Sequence, residues 1–257
     1  MTAASDIATY LDDLLGAAAV PDYPGALNGL QLDHVGPVRG IAAAVDVSIP
    51  ALEQTHRVGA NFLIVHHGLF WEGARCIVGV TYRRLQLLFR NDIAVYSSHL
   101  PLDAHSSLGN NALLAKALNL VASGPFAQYK DVSTGCSGAS YIPTHELVAR
   151  VQQLVHPLGA RIRVTPHDRA RITRSWGICT GAGASSETLR EAVALNIDTL
   201  VVGEGPHHTA VDAPDLGLVV IYAGHYATET FGVRAIAQRA AEEFNLPWSF
   251  VHVPSGL

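Results

Sequence analysis

Phe62-Leu63-Ile64-Val65-His66-His67-Gly68 is the stretch from which the fold can be read. Four consecutive apolar residues, two of them β-branched, run into two imidazoles and a glycine that frees the backbone. An apolar run of this length reads as a strand buried on both faces, as in parallel sheets covered by helices. Working outward, similar runs predict strands at 40–47, 61–66, 93–98, 133–142, 161–165, 175–180, 199–203, 218–223 and 248–253. Segments of helical period at 6–18, 50–58, 81–90, 109–120, 144–155, 186–195 and 228–244 lie between them. The clearest is the last, where Phe231, Ala235, Ile236, Ala240 and Phe244 recur on one face.

Strands alternating with helices make this an α/β protein. Nine strands are too many for one small open sheet, so two lobes are expected. The Gly, Ser and Pro cluster at Ala122 to Pro125, with polar Gln128 to Asp131 after it, marks the junction. The predicted lobes are 1–124 and 125–257, with the C-terminal helix free to pack back on the first. Each half contains a strand that ends in a histidine loop, Val65-His66-His67 and Tyr222-Ala223-Gly224-His225, which suggests related halves. Ligands of open α/β sheets collect beyond the carboxyl ends of the strands, so these loops are where a site belongs.

Composition narrows the function. The 257 residues carry 17 Lys and Arg against 22 Asp and Glu, a net charge of −5. The arginines are scattered singly and Lys116 and Lys130 are the only lysines, so no basic stripe exists to meet nucleic-acid phosphates. An anionic substrate would have to be held by metal, by Arg, or by helix N-termini such as those after Gly183 and Gly205. No window approaches 18 uninterrupted apolar residues, and the first twenty hold Asp6, Asp12 and Asp13, unlike a secretory signal. A cytoplasmic protein without a membrane span is the expectation. Cys76, Cys136 and Cys179 form neither a disulfide framework nor a Cys-x-x-Cys zinc knot. The 13 histidines, by contrast, are the chief polar resource and direct attention to metal.

Three strand ends carry the donors. Neighbouring strand residues point to opposite sides, so His66 and His67 suit two adjacent ions better than one; a strand cap plus an exposed imidazole is the bland alternative. In Gly224-His225-Tyr226-Ala227-Thr228-Glu229, an imidazole and a carboxylate four apart share one face if the helical turn has begun at His225. Glu229 would otherwise be a first-turn carboxylate favoured by the helix dipole. In His99-Leu100-Pro101-Leu102-Asp103-Ala104-His105, Asp103 can bridge two ions, with His99 and His105 as ligands or orienting donors, or it can cap the helix near Gly109. Together they offer the imidazoles and carboxylates that a two-metal hydrolytic site uses. His207-His208 fits a rim position, and Gly181-Ala182-Gly183-Ala184-Ser185-Ser186 weakly resembles a phosphate cradle. Signatures of serine hydrolases, HExxH proteases and kinases are missing from the sequence.

The motifs Asn28-Gly29-Leu30-Gln31, Val65-His66-His67-Gly68, His99 to His105 with Gly109-Asn110-Asn111, Gly203-Glu204 and Ala223 to Glu229 stand in a fixed order across nearly the whole chain. In this the sequence resembles the GTP cyclohydrolase 1 type 2 homologs, also called Nif3-like proteins, and most of all their short bacterial members. The resemblance implies two α/β lobes with a dinuclear metal site between them and a toroidal homohexamer. It places the metal ligands on His66, His67, Asp103, His225 and Glu229, and puts His99 in a site-lining, catalytic position. Pro206-His207-His208 departs from the pattern, in a stretch that varies among members. The function expected is a hydrolase using two divalent ions per chain, Zn, Fe, Mn or Ni, on a nucleotide or phosphorylated small molecule, with GTP ring opening the named reaction. A ring-shaped metal-handling protein without turnover is the rival.

Overall fold

A computed structural model describes residues 1–71, 73 and 75–257. The chain forms two compact units, Met1–Leu102 with Gly232–Val253 and Asp103–Phe231 with Pro254–Leu257.

The first unit contains α1 (Ala4–Leu15), β1 (Gly29–Leu32), β2 (Ile41–Asp46), α2 (Ile49–Arg57), β3 (Phe62–His67), α3 (Gly79–Arg90) and β4 (Ala94–Ser97). A short turn of helix, α4 (Leu100–Asp103), leads out of it. Its sheet has the order β1-β4-β3-β2 and is extended at the β2 edge by β11 (Trp248–Phe250). β11, β2, β3 and β4 are parallel and β1 is antiparallel. The parallel strands β2, β3 and β4 are buried along almost their whole length, which is why they read as unbroken apolar runs. Alternate side chains serve opposite faces. Ala42, Ala44, Leu63, Val65 and Val95 pack with Leu52 and Leu88, while Tyr96 faces the other way and donates to Asp12 of α1 at 2.8 Å.

The second unit contains α5 (Asn110–Ala117), β5 (Gly124–Tyr129), β6 (Val132–Pro143), α6 (Thr144–Val155), β7 (Arg163–Val164), β8 (Ile172–Cys179), α7 (Ser186–Ala194), β9 (Thr199–Val202), α8 (His207–Asp215), β10 (Val219–Tyr222) and α9 (His225–Thr228). α10 (Thr230–Phe244) carries the chain back to the first unit. The sheet order is β5-β6-β8-β9-β10-β7, with β8, β9 and β10 parallel. Here the period of two sorts the core cleanly. Trp176, Val201, Val219 and Ile221 meet Leu114, Leu147, Val151 and Val155 of α5 and α6 on one face. Leu200, Val202 and Val220 meet Leu189, Ala192 and Ala213 of α7 and α8 on the other.

The compact units divide at 102/103, where the sequence suggests 124/125. Leu114, Ala115 and Leu118 are part of the core around Trp176, which ties α5 to the second unit. The Gly-Pro stretch expected as a junction is β5, an edge strand paired with β6, and an edge is where a sheet tolerates Pro125. The segment 232–253 belongs with the first unit. Among the described residues no helix is long and apolar enough to cross a membrane.

Candidate metal centre

In the first unit, the parallel strands β3 and β4 deliver three imidazoles at their carboxyl ends. His66 and His67 end β3, and His99 follows β4 by two residues. One donor atom from each of the three lies within 4.8 Å of the others. His66 and His67 are neighbours at the end of the strand, yet their ring centroids are only 4.8 Å apart. The adjacent pair thus converges, contrary to what strict strand alternation implies.

Each ring is held through Nδ1. His66 Nδ1 is 2.9 Å from the Ser98 carbonyl oxygen. His67 Nδ1 is 2.8 Å from Asp46 Oδ1, and His99 Nδ1 is 2.8 Å from Asp22 Oδ1. A carbonyl or carboxylate oxygen only accepts, so Nδ1 carries the proton in each ring and Nε2 carries the lone pair, the form that binds metal. Asp22 is itself fixed by the Asn28 side-chain amide at 2.9 Å and the Leu100 backbone amide at 2.8 Å. Burial alone would raise its pKa, but the hydrogen bonds from His99, Asn28 and Leu100 outweigh it and hold the carboxyl below its usual range. Trp71 stands edge-on to His99 with centroids 4.6 Å apart.

The second unit supplies the carboxylates. The helical turn does begin at His225, so His225 and Glu229 face each other with Nε2 and Oε2 3.1 Å apart. His225 Nδ1 is 2.7 Å from Glu204 Oε1. Burial lowers the pKa of His225, but Glu229 and Glu204 outweigh it and raise it to about 9. Glu229 is only 3% exposed. The Gly181 turn leaves room for it: Gly181 has φ +61°, a side chain there would collide with Glu229 Oε1, and its amide donates to Thr228 Oγ1 at 3.1 Å. The phosphate-cradle reading of 181–186 has a competing explanation, because the start of α7 is closed by a reciprocal pair of bonds between Ser185 and Thr188.

Asp103 is buried and does not cap α5. Its Oδ1 accepts from the Asn110 side chain at 2.8 Å and from Thr180 Oγ1 at 3.4 Å. Asn111 accepts from the Thr180 amide at 2.8 Å, so the Asn110-Asn111 pair links the helix start to the end of β8. Cys179 adjoins these acids, but burial and the nearby Asp103 carboxylate push its thiol up to about 12 and keep it neutral. His105 shows the opposite tautomer, since its Nδ1 accepts from the Ser107 and Leu108 amides at 3.2 and 3.0 Å. It shapes a turn. His207 and His208 are exposed at the start of α8, where His208 Nε2 lies 3.1 Å from Ser186 Oγ.

Sequence reasoning found the imidazoles and missed the oxygens behind them, Asp22 and Asp46, and the orienting part played by Glu204. Asp46 at the end of an otherwise apolar strand was the available signal.

Mixed imidazole and carboxylate donors on an α/β scaffold, the imidazoles each oriented from behind, are groups that could hold a metal ion. Residues 2–255 match the family Duf34/NIF3 (NGG1p interacting factor 3), and the chain belongs to that family. A relative from Deinococcus radiodurans called GTP cyclohydrolase 1 type 2 homolog is 38% identical over 98% of this chain and 94% of its own. Among solved structures, the protein ybgI, described as of unknown function, is 32% identical with a TM-score of 0.89 over the whole of both chains. TTHA1606 from Thermus thermophilus is 34% identical with a TM-score of 0.82, again over both whole chains.

Proposed function

We propose that the protein is a divalent-metal hydrolase acting on a nucleotide or similar phosphorylated small molecule. In this reading His66, His67, Asp103, His225 and Glu229 hold two ions per chain and His99 moves a proton. The observation that carries it is the anchoring of all four of these imidazoles through Nδ1, three by carboxylates and one by a carbonyl. That arrangement fixes the tautomer and ring direction a metal ligand needs, and a solvated surface histidine has no use for it. The donors suit Zn, Fe, Mn or Ni. When bound, such ions supply Lewis acidity that activates water near neutral pH and polarises the bond to be cut.

The chain's own residues do the rest. Asp22, ionised and hydrogen-bonded to His99 Nδ1, stabilises the imidazolium that forms when Nε2 takes a proton, and lets it be returned to a leaving group. Asn110 and Thr180 hold Asp103 in one orientation. Gly181 and Thr228 keep the backbone close around Glu229.

The name carried by the relatives makes GTP ring opening the first reaction to assay. Metal-loaded protein is expected to turn over at least one member of a nucleotide panel, metal-stripped protein none. His99→Gln should keep its metal and lose turnover by about a hundredfold or more. Loaded protein that turns over no nucleotide would favour the metal-handling alternative.

A closed ring of copies, six by family resemblance, is part of the same proposal. Val78, Val80, Tyr82 and Phe89 on and beside α3 are each more than half exposed, and only Leu88 of that helix is fully buried. Exposed apolar side chains of this kind call for a cover. Light scattering at micromolar concentration should give a multiple of the 27.3 kDa chain mass; a monomer contradicts it.

A further inference from the structure

The second unit holds a cavity of about 430 Å³ that the donor set does not use. Its walls include Arg161, Arg163, Tyr222, Glu204 and the backbone of Gly203 and Gly224. The size suits a small ligand or one end of a larger one. Arg163 lies on β7, the last strand of the sheet, and pairs across the ladder with Tyr222. Arg161 precedes the strand by two residues and lines the same cavity. This is the grouping that a count of singly scattered arginines conceals.

Neither arginine is neutralised. Among the described residues no carboxylate makes an ion pair with Arg161 or Arg163, although Arg150, Arg190 and Arg239 each have one. Arg163 uses one donor on the neighbouring Ile162 carbonyl at 3.0 Å, which steadies the side chain and leaves the rest of the guanidinium. The acidic side chain in the wall is Glu204, whose Oε1 faces His225 Nδ1 at 2.7 Å. Two guanidinium groups therefore share the wall with the Glu204 side chain, which is already engaged, and with the terminal residues Gly256 and Leu257, whose Leu257 backbone oxygen accepts from the Tyr226 amide at 3.1 Å. The same Glu204 orients a proposed metal ligand, and Gly224 is the residue before that ligand, so the cavity opens beside the metal donors of its own unit.

We propose that Arg161 and Arg163 form an oxyanion subsite that takes the phosphate end of the substrate. The proposal rests on the metal-hydrolase reading and gives it a substrate class: a molecule whose reacting group lies a short distance from a phosphate or diphosphate. A planar guanidinium offers two parallel N–H donors to such a group, and two of them in one cavity wall can share its oxygens. Tyr222 lines the same cavity, with its hydroxyl 2.8 Å from Thr209 Oγ1 of α8.

Calorimetric titration of the metal-loaded full chain with inorganic pyrophosphate tests the subsite. Arg161→Ala with Arg163→Ala is expected to weaken binding at least tenfold, with metal content and melting temperature unchanged. The Lys pair, R161K with R163K, should recover part of the loss. Malonate is the carboxylate arm and should compete at least tenfold less well than pyrophosphate. Parent protein that does not bind pyrophosphate, a double variant within twofold of the parent, or malonate binding as tightly as pyrophosphate would each overturn the proposal. The two readings fail separately. A parent that retains fewer than two ions while its anion binding still depends on the arginines leaves the subsite standing without the dinuclear centre. A parent with two ions and indifferent arginines does the reverse.

Discussion

The two units carry their candidate donors in chemically opposite ways. In the first, three imidazoles converge at the ends of parallel strands, and the local carboxylates Asp22 and Asp46 stand behind the rings and orient them. In the second, one imidazole at a helix start lies between two carboxylates, Glu204 on Nδ1 and Glu229 on Nε2, with Asp103 tied down by amide and hydroxyl donors. A nitrogen-rich set needs only its tautomers fixed. An imidazole between two carboxylates gathers a proton, which is why His225 is raised to about 9. Metal entering the second set must displace that proton, while each imidazole of the first set is already anchored through Nδ1.

Removing a ligand should produce the largest effect. Asp103→Ala and His225→Ala are each expected to cost at least one ion per chain by elemental analysis, while His207→Ala keeps its full content because that side chain is exposed on α8. Equal loss from all three would mean that the site boundary is misdrawn. Removing an orienting carboxylate should matter less. Asp46→Asn in the first unit and Glu204→Gln in the second should each weaken metal retention about 10- to 100-fold against a chelator, without changing the fold. If only one variant weakens, the anchoring from behind does not work alike in the two units.

The smallest effect is a pH dependence confined to the second set. The folded pKa of His225 lies above the ordinary 6.5, so its charged form stabilises the metal-free fold. That contribution is fully present below about pH 6.5 and is lost as pH rises through about 9. Metal-free protein should therefore melt a few degrees lower at about pH 9.5 than at about pH 6.5, and His225→Gln should flatten this part of the curve. A parent and variant with parallel curves would show that no carboxylate-held proton stabilises the second unit.

How legible all this was in the sequence depended on whether the signal was local. The apolar run 62–65 with two imidazoles after it announced a buried strand feeding a site. Shorter apolar runs did the same for the second sheet at Thr199–Val202 and Val219–Tyr222. The His225–Glu229 spacing was readable because both residues lie on one turn of helix. β5 was hidden because Gly124 and Pro125 look like a linker, and only its place at a sheet edge permits them. The helix start after Gly205 was legible, while Pro214 within α8 concealed how far the helix runs. Asp22 and Asp46 act on rings 77 and 21 positions away, so no local period connects them. The pairing of Arg161 with Arg163 over a cavity likewise emerges only when β7 is laid against β10.

That donors of both kinds serve two ions is tested most directly by elemental analysis of tag-free protein, dialysed after loading with a divalent metal. Close to two ions per chain are expected, because three imidazole and two carboxylate ligands exceed what one tetrahedral ion takes. Saturation at one ion per chain, or at none, would contradict it.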